Sequence, residues 1–218
     1  EIHQGYLAAG ADAIETNSFG GSPITLAEFG LEARAFELNE IAARLAREAV
    51  ESVAGDGRQR FVVGAIGPGT KLPSLGHIGY GELEAAFALQ AEGLIAGGAD
   101  VLLVETCQDP LQIKAAVNGS RHAFVRAGRE LPIMVQVTVE TTGTLLLGTE
   151  MPAAITAFEP YPIMSLGMNC ATGPQEMVEH VRTLSQQWPR YISVLPNAGL
   201  PENVGGTAVY KLTPEGLA

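Results

Sequence analysis

The sequence is short of cysteine, of basic residues and of long apolar runs, and each shortage excludes a class of protein. Two cysteines in 218 residues are too few for a disulfide-stapled scaffold. No apolar run approaches the roughly 20 residues of a membrane-spanning helix, and residues 1–4 lack the basic start of a signal peptide. A reducing, cytoplasmic location is therefore the expectation.

Basic residues number 13 against 24 acidic ones, which gives a formal net charge of −11. The few basic residues are scattered along the chain. Because binding to phosphate backbones or to anionic lipids needs clustered lysine and arginine, the composition argues against a nucleic-acid or membrane partner. With 46% hydrophobic residues, the chain has ample material for a large buried core.

Six short apolar runs predict β-strands. Several, such as Val101–Val104, are apolar on both faces, as is typical of parallel strands that are covered on both sides. The predicted strands span residues 12–19, 61–67, 100–106, 132–139, 164–170 and 191–196. Apolar residues at helical spacing between them predict amphipathic helices over residues 36–53, 82–96, 110–126, 152–158 and 174–187.

The alternation of strands and helices predicts an α/β fold, for which an open doubly wound sheet and a closed barrel are the two candidates. An open sheet usually carries a glycine-rich phosphate-binding motif after its first strand, and no such motif follows any predicted strand. The sequence therefore favours a (β/α)8 barrel of the TIM type. The chain begins in the tail of a predicted helix and closes with residues 212–218, in which Thr213 and Pro214 are typical of a helix start. We expect the first and last strands to be missing, so that residues 1–218 form one partial domain of about six of eight βα units.

Polar side chains collect where the predicted strands end, which is the face on which barrel enzymes build their active sites. Carboxylates are the most informative class and Lys71 is the only basic member, so we expect a pocket for an ammonium group or a metal ion. For any single carboxylate, a structural role at the barrel rim is the alternative. The set comprises Glu15, Thr16, Asn17, Thr70, Lys71, Glu105, Asp109, Thr138, Glu140, Asn169, Cys170 and Asn197.

Cys170 follows the fifth predicted strand and precedes a predicted helix. Backbone N–H groups at a helix N-terminus stabilise a thiolate, which is the form that binds zinc or attacks an electrophile. A buried apolar thiol is the alternative, and it is the stronger interpretation for Cys107. None of the four histidines is paired with another at metal-ligand spacing, and no Ser-His-Asp pattern occurs.

Five strand-end motifs, in order along the whole chain, resemble those of the homocysteine S-methyltransferase family. They lie at residues 15–20 (ETNSFG), 66–68 (IGP), 105–109 (ETCQD), 167–174 (GMNCATGP) and 196–201 (PNAGLP). Within the family, residues 72–77, 141–149 and 210–218 are most similar to the cobalamin-dependent members. Five motifs in register are far more specific than any one of them.

The resemblance implies zinc-dependent transfer of a methyl group to the thiol of homocysteine, which gives methionine. It implies three cysteine ligands to zinc with the substrate sulfur as the fourth, methylcobalamin as the donor, and folate- and cobalamin-binding domains of the same enzyme as partners. By position, Cys170 is the first zinc ligand. Asp109 and Glu140 are candidates for holding the homocysteine amino group, and Asn169 and Asn197 are candidates for shaping the pocket.

The sequence departs from the family pattern in two places. The family's other two zinc ligands form an adjacent cysteine pair, and no such pair occurs among these 218 residues. An Asp-Gly motif on the first strand, which helps to receive the substrate carboxylate, is also absent. We therefore expect this chain alone neither to bind zinc tightly nor to methylate homocysteine.

Three alternatives stay open. The methyl donor could be S-methylmethionine or betaine, as in related members of the family. The chain could be a non-catalytic barrel remnant that serves as an interaction module, or an unrelated carboxylate-lined barrel enzyme such as a lyase with a divalent metal. A cysteine pair in an adjoining glycine-rich strand would distinguish the enzyme from the remnant, and a metal insensitive to mutation of Cys170 would indicate the lyase.

Overall fold

The computed structural model describes residues 1–199 and 201–217, apart from the side chain of Asp56. Leu200, in the predicted motif at residues 196–201, and Ala218, in the similar C-terminal segment, lie outside the described residues. Within the described part, six β-strands form one sheet in chain order, as the sequence predicts. They are β1 (Ala13–Glu15), β2 (Phe61–Ile66), β3 (Val101–Cys107), β4 (Ile133–Val137), β5 (Ser165–Asn169) and β6 (Tyr191–Leu195).

Helices lie between the strands where apolar periodicity predicts them, and α2, a single turn, is an addition. They are α1 (Ile2–Ala8), α2 (Pro23–Leu26), α3 (Ala35–Glu51), α4 (Tyr80–Ala96), α5 (Pro110–Ala127), α6 (Met151–Phe158), α7 (Pro174–Gln187) and α8 (Pro214–Leu217). Helix α8 begins at Pro214, as the sequence predicts, and the Thr213 hydroxyl accepts the Gly216 N–H at 3.2 Å. None of these helices is long and apolar enough to cross a membrane.

Contacts between residues divide the chain into two compact units. Unit 1 comprises Glu1–Val104 and Leu111–Met134, and unit 2 comprises Glu105–Pro110 and Val135–Ala218. The strand pairs β1–β2, β2–β3 and β5–β6 are parallel, which confirms the predicted α/β class. Closure into an eight-stranded barrel stays a prediction.

In unit 1, β1, β2 and the start of β3 pair in parallel, with Ile14 beside the fully buried Val62. Helices α3 and α4 pack closely against each other. A methyl group on Gly97 would lie 2.2 Å from the Glu40 carbonyl oxygen. The absence of a side chain at Gly97 therefore sets the distance between these two helices.

In unit 2, β5 and β6 pair in parallel along their whole length. Gly167 lies opposite Ser193, and a methyl group on Gly167 would lie 1.6 Å from the Ser193 carbonyl oxygen. The two strands can therefore approach in this way only with glycine at position 167. Because Asn169 ends β5, the same approach sets the position of the polar segment that follows.

Unit 2 also contains a hairpin that the sequence analysis does not predict. Strands β7 (Glu202–Val204) and β8 (Thr207–Val209) pair antiparallel around Gly205 and Gly206. Both glycines have positive φ, 61° and 88°, which a tight two-residue hairpin turn requires. Every residue of the two strands is exposed, so no buried apolar face marks the hairpin in the sequence.

Replacing Gly167 with alanine should destabilise the chain by about 1–3 kcal/mol or more, because the added methyl group collides with the backbone of β6. Urea unfolding followed by circular dichroism measures the loss. Gly81→Ala is the matched control, since Gly81 lies in α4 with open space at the Cβ position. Alanine there should stabilise the chain by about 0.5–1 kcal/mol. Equal unfolding midpoints for the two variants would contradict the role assigned to Gly167.

Candidate functional site

The ends of three strands come together in unit 2. They contribute Glu105 to Cys107 at the end of β3, Thr138 directly after β4, and Asn169 with Cys170 at the end of β5. The Thr138 backbone N–H donates to the Cys107 carbonyl oxygen at 2.9 Å, and the Thr138 hydroxyl donates to the Asn169 carbonyl oxygen at 3.1 Å. Hydrogen bonds between strand ends thus build the site, at the carboxyl ends where the sequence predicts it.

The side-chain amide of Asn169 lies at the centre of these contacts, and the residue is only 3% exposed. Its oxygen Oδ1 accepts the Thr106 backbone N–H at 3.0 Å and lies 3.4 Å from the Thr138 hydroxyl, whose one hydrogen it shares with the Asn169 carbonyl oxygen. The two hydrogens of Nδ2 face three acceptors, the Thr106 hydroxyl at 2.8 Å, Glu105 Oε2 at 3.2 Å and the Cys170 sulfur at 3.5 Å. Both ends of the amide are therefore occupied by protein groups.

Cys170 is partly exposed and lies between the end of β5 and the start of α7, as the sequence predicts. Its sulfur is 3.5 Å from Asn169 Nδ2 and 3.9 Å from the Thr106 hydroxyl. Its backbone N–H donates to the Leu195 carbonyl oxygen of β6 at 3.2 Å. The backbone of Cys170 is thus fixed by the neighbouring strand, while its side chain stays partly open to solvent.

Three residues other than glycine have positive φ in the described part of the chain, and all three lie in this cluster or directly after it. They are Thr106 (58°), Cys170 (58°) and Ala171 (57°). Such a conformation costs about 1–3 kcal/mol for a residue with a side chain, and a β-branched threonine adopts it rarely. Strain of this kind persists only where the surrounding structure holds it, and it concentrates at functional sites. The strained residues lie at the ends of β3 and β5, and the side chain of Asn169 joins these two strand ends by hydrogen bonds.

Carboxylates follow the same strand ends, as the sequence predicts. Glu105 is 8% exposed and accepts the Asn169 amide, whereas Asp109 is fully buried. Glu140 is partly exposed, and its carboxylate accepts a hydrogen bond from the side-chain amide of Gln108. These groups give the site an acidic character.

The basic side chains of unit 2 are engaged with other groups. Arg182 pairs with Glu179, Lys211 pairs with Glu202, and Arg190 donates to the carbonyl oxygens of Glu159, Tyr161 and Ile163. Together they are all the lysine and arginine that unit 2 contains. An acidic site with its local cations held elsewhere favours an ammonium group over a phosphate as the ligand.

Cys107, the second cysteine, is fully buried. Its thiol donates to the Glu105 carbonyl oxygen at 3.4 Å. Burial raises the pKa of this thiol far above its usual range, and the negative charges of Glu105 and Asp109 raise it further. Cys107 therefore stays protonated, in agreement with the buried role that the sequence favours for it.

The remaining predicted residues lie outside this cluster. Glu15, Thr16, Asn17, Thr70 and Lys71 belong to unit 1. There the Thr16 hydroxyl accepts the Ala65 backbone N–H at 3.0 Å, which is a structural role. Asn197 follows β6 in unit 2, and its backbone N–H donates to the Thr172 carbonyl oxygen at 3.1 Å. That bond ties the end of β6 to the segment after Cys170.

Thr106 and Gln108 carry no role predicted from the sequence, although both lie in the motif at residues 105–109. A left-handed backbone runs against the preference of a β-branched residue, so no sequence pattern marks Thr106 as strained. Gln108 could have been identified from the sequence as a site residue. It lies between Glu105 and Asp109 in the motif, and a side-chain amide is a natural hydrogen-bond donor to carboxylates.

The family model for homocysteine S-methyltransferase matches residues 1–218. The chain belongs to the homocysteine S-methyltransferase family. The methionine synthases of Mycobacterium tuberculosis (strain ATCC 25618 / H37Rv) and Mycobacterium leprae (strain TN) are 50% and 48% identical to it over 217 residues. These matches cover 100% of the chain but only 18% of the length of each relative. The resemblance inferred from the five strand-end motifs is therefore confirmed.

A solved member of the homocysteine S-methyltransferase family has a similar fold. The metallated form of the homocysteine methyltransferase MmuM from Escherichia coli matches this chain with a TM-score of 0.77 at 24% identity. The match covers 91% of this chain and 71% of the MmuM chain. At this level of identity the similarity shows the fold alone, and it agrees with the parallel α/β architecture described above.

For a homocysteine S-methyltransferase, the resemblance implies a zinc ion bound by three thiolates. Among the described residues, no group of three or more His, Cys, Asp or Glu side chains is arranged to hold a metal ion. The Cys170 sulfur has an amide and a hydroxyl as polar neighbours, whereas zinc prefers thiolate, imidazole and carboxylate ligands. The donor set of this chain does not fit a complete zinc site, and Cys170 stands as a single candidate ligand.

Thiol labelling should distinguish the two cysteines. In the folded chain at neutral pH we expect one thiol to react rapidly with dithionitrobenzoate, because Cys170 is partly exposed while Cys107 is buried with a raised pKa. Cys170→Ser should remove the fast reaction, and Cys107→Ser should preserve it. Both thiols should react in denaturant, and mass spectrometry of the peptides assigns them. Rapid labelling of Cys107 in the folded chain would show that this picture is incorrect.

Proposed function

We propose that this chain binds homocysteine and presents the substrate thiol as the methyl acceptor of an enzyme that forms methionine. The observation that carries the proposal is the cluster of Glu105, Asn169 and Cys170 in a chain of this family. The 50% identity to a methionine synthase over the whole chain supports the same reaction.

In this proposal, the acidic groups bind the ammonium group of homocysteine. Glu140 is the first candidate to bind the homocysteine ammonium group, because it is partly exposed and is oriented by Gln108. Asp109 is the second candidate. Since Asp109 is fully buried, its charge acts on the site through a medium of low dielectric constant, where attraction to a cation is stronger than in water. Asn197 is retained as a residue that shapes the pocket from the end of β6.

In this proposal, Cys170 lies at the end of the site that receives the sulfur of homocysteine. We propose it as one ligand of a zinc ion whose other two thiolates come from outside these 218 residues. A thiol that is bound to zinc stays deprotonated at neutral pH, which is the chemistry that the metal supplies when it is present. The described residues bind and orient the substrate beside that position.

The methyl donor in this proposal is methylcobalamin, delivered by another domain. The similarity of residues 72–77 and 141–149 to cobalamin-dependent members of the family supports it, and folate- and cobalamin-binding domains are then partners in a longer enzyme. The fold proposed for that enzyme is a (β/α)8 barrel, which the sheet of six strands in chain order supports. The location proposed for it is the reducing cytoplasm, which the low cysteine content favours.

A non-catalytic module is the second candidate function. It is favoured by the single partly exposed thiol and by the lack of a metal-binding group among the described residues. The two candidates differ in their ligand, because a module that only mediates interactions has no reason to bind homocysteine.

The purified chain should contain well under one equivalent of zinc and should not methylate homocysteine, because one thiolate does not make a tetrahedral site. Elemental analysis after dialysis against trace zinc measures the metal content. The Cys170→Ser chain gives the background from adventitious binding. A full equivalent of zinc that disappears in Cys170→Ser would overturn this expectation.

Glu140→Gln should weaken homocysteine binding by about tenfold or more, since a hydrogen bond to a charged group contributes about 1.5–3 kcal/mol. Isothermal titration of the chain measures the affinity. Glu159→Gln, an exposed change in the same unit, is the control and should bind as the original chain does. 4-Mercaptobutyrate, which lacks the amino group, should not distinguish the variants. If the unmodified chain shows no saturable homocysteine binding, the non-catalytic module is favoured instead.

A further inference from the structure

We propose that Asn169 and Thr106 form a clasp that positions the Cys170 sulfur, and that Asn169 itself does not contact the substrate. The clasp is defined as the two hydrogen bonds that these residues exchange. The inference deepens the proposed function and rests on it for its chemical consequence, whereas the clasp itself rests on geometry alone.

The two bonds of the clasp run in opposite directions. The Thr106 backbone N–H donates to Asn169 Oδ1 at 3.0 Å, and Asn169 Nδ2 donates to the Thr106 hydroxyl at 2.8 Å. Two bonds of opposite direction between one planar amide and one residue fix both the position and the rotation of the amide. With that rotation fixed, Nδ2 has the Cys170 sulfur as a further acceptor at 3.5 Å.

The hydrogen-bonding capacity of the Asn169 side chain is fully used within the protein. The two hydrogens of Nδ2 face three acceptors, on Thr106, Glu105 and Cys170, and Oδ1 faces two donors, the Thr106 N–H and the Thr138 hydroxyl. A side-chain amide offers two donors and two acceptor positions. Because the residue is also 3% exposed, Asn169 can act on a bound substrate only through the groups that it holds.

The strained backbone lies at the residues that the clasp holds. Thr106 and Cys170 both have φ of 58°, on strand ends that are far apart in the sequence. Each conformation costs about 1–3 kcal/mol and must be held by its surroundings. Loss of the clasp should therefore let both backbones relax, and the sulfur of Cys170 should lose its fixed position.

The two cysteines of the chain allow a direct test, because each adjoins one member of the clasp. Carbon-13-labelled cysteine gives one set of NMR signals for Cys107, next to Thr106, and one for Cys170, next to Asn169. Each variant can then be observed at the cysteine that is remote from it in sequence. The spectra are recorded on the whole chain without homocysteine or metal.

Thr106→Val removes the hydroxyl but keeps the branched shape, so the Cys170 signals should shift or broaden. Thr106→Ser keeps the hydroxyl and should leave the Cys170 signals as in the original chain. Asn169→Asp removes the donor, so the signals of Cys107 should move. Thr183→Val, at a partly exposed position, and Asn203→Asp, at an exposed one, are controls that should move neither set.

Identical Cys170 signals in Thr106→Val and Thr106→Ser overturn the proposal. This pair is informative even where Asn169→Asp fails to fold, since Thr106→Val loses one hydroxyl only. Rescue by serine separates positioning of the sulfur from a general loss of stability, which urea unfolding of each variant measures. A chain that shows the clasp but no homocysteine binding contradicts the proposed function and leaves the clasp established.

Discussion

The side-chain amide of Asn169 lies within hydrogen-bond distance of five protein groups inside unit 2, and the candidate site is arranged around it. A buried amide is unfavourable unless its donors and acceptors are satisfied, and each satisfied bond contributes about 1 kcal/mol net. The strained backbones of Thr106, Cys170 and Ala171 cost a similar amount each. Neither the strained residues nor the buried amide would be stable alone, so the cluster forms as one unit.

Much of the fold could be predicted because its elements follow strong local rules. Helix α7 has the predicted bounds, since Pro174 begins it and apolar residues recur along one face. The strands were found from their apolar runs, although β1 is shorter than predicted because only three residues pair with β2. The β7–β8 hairpin escaped prediction because its strands have three residues each and bury nothing.

The candidate site could be predicted by residue type better than by role. Strand-end position alone selects Glu105, Glu140 and Cys170, because the carboxyl ends of parallel strands form one face. Strand-end position selects Asn169 as well, but its hydrogen bonds could not be predicted, since they depend on an amide orientation that bonds across strand ends. The sequence also groups five residues of unit 1 with the site, because they too follow predicted strands. They are Glu15, Thr16, Asn17, Thr70 and Lys71. Sequence identifies which groups follow strands, whereas only coordinates show which of them exchange hydrogen bonds.

The bare Cα of Gly167 has a consequence for how this protein can diverge over evolution. Its neighbour across the strand pair is Ser193, and the same pair of strands carries Asn169 opposite Leu195. A side chain at position 167 would push the strands apart and so lengthen the bond from the Cys170 backbone to Leu195. A substitution at Gly167 therefore changes the position of Cys170, three residues away. A lineage that retains the strained cysteine must also retain the glycine.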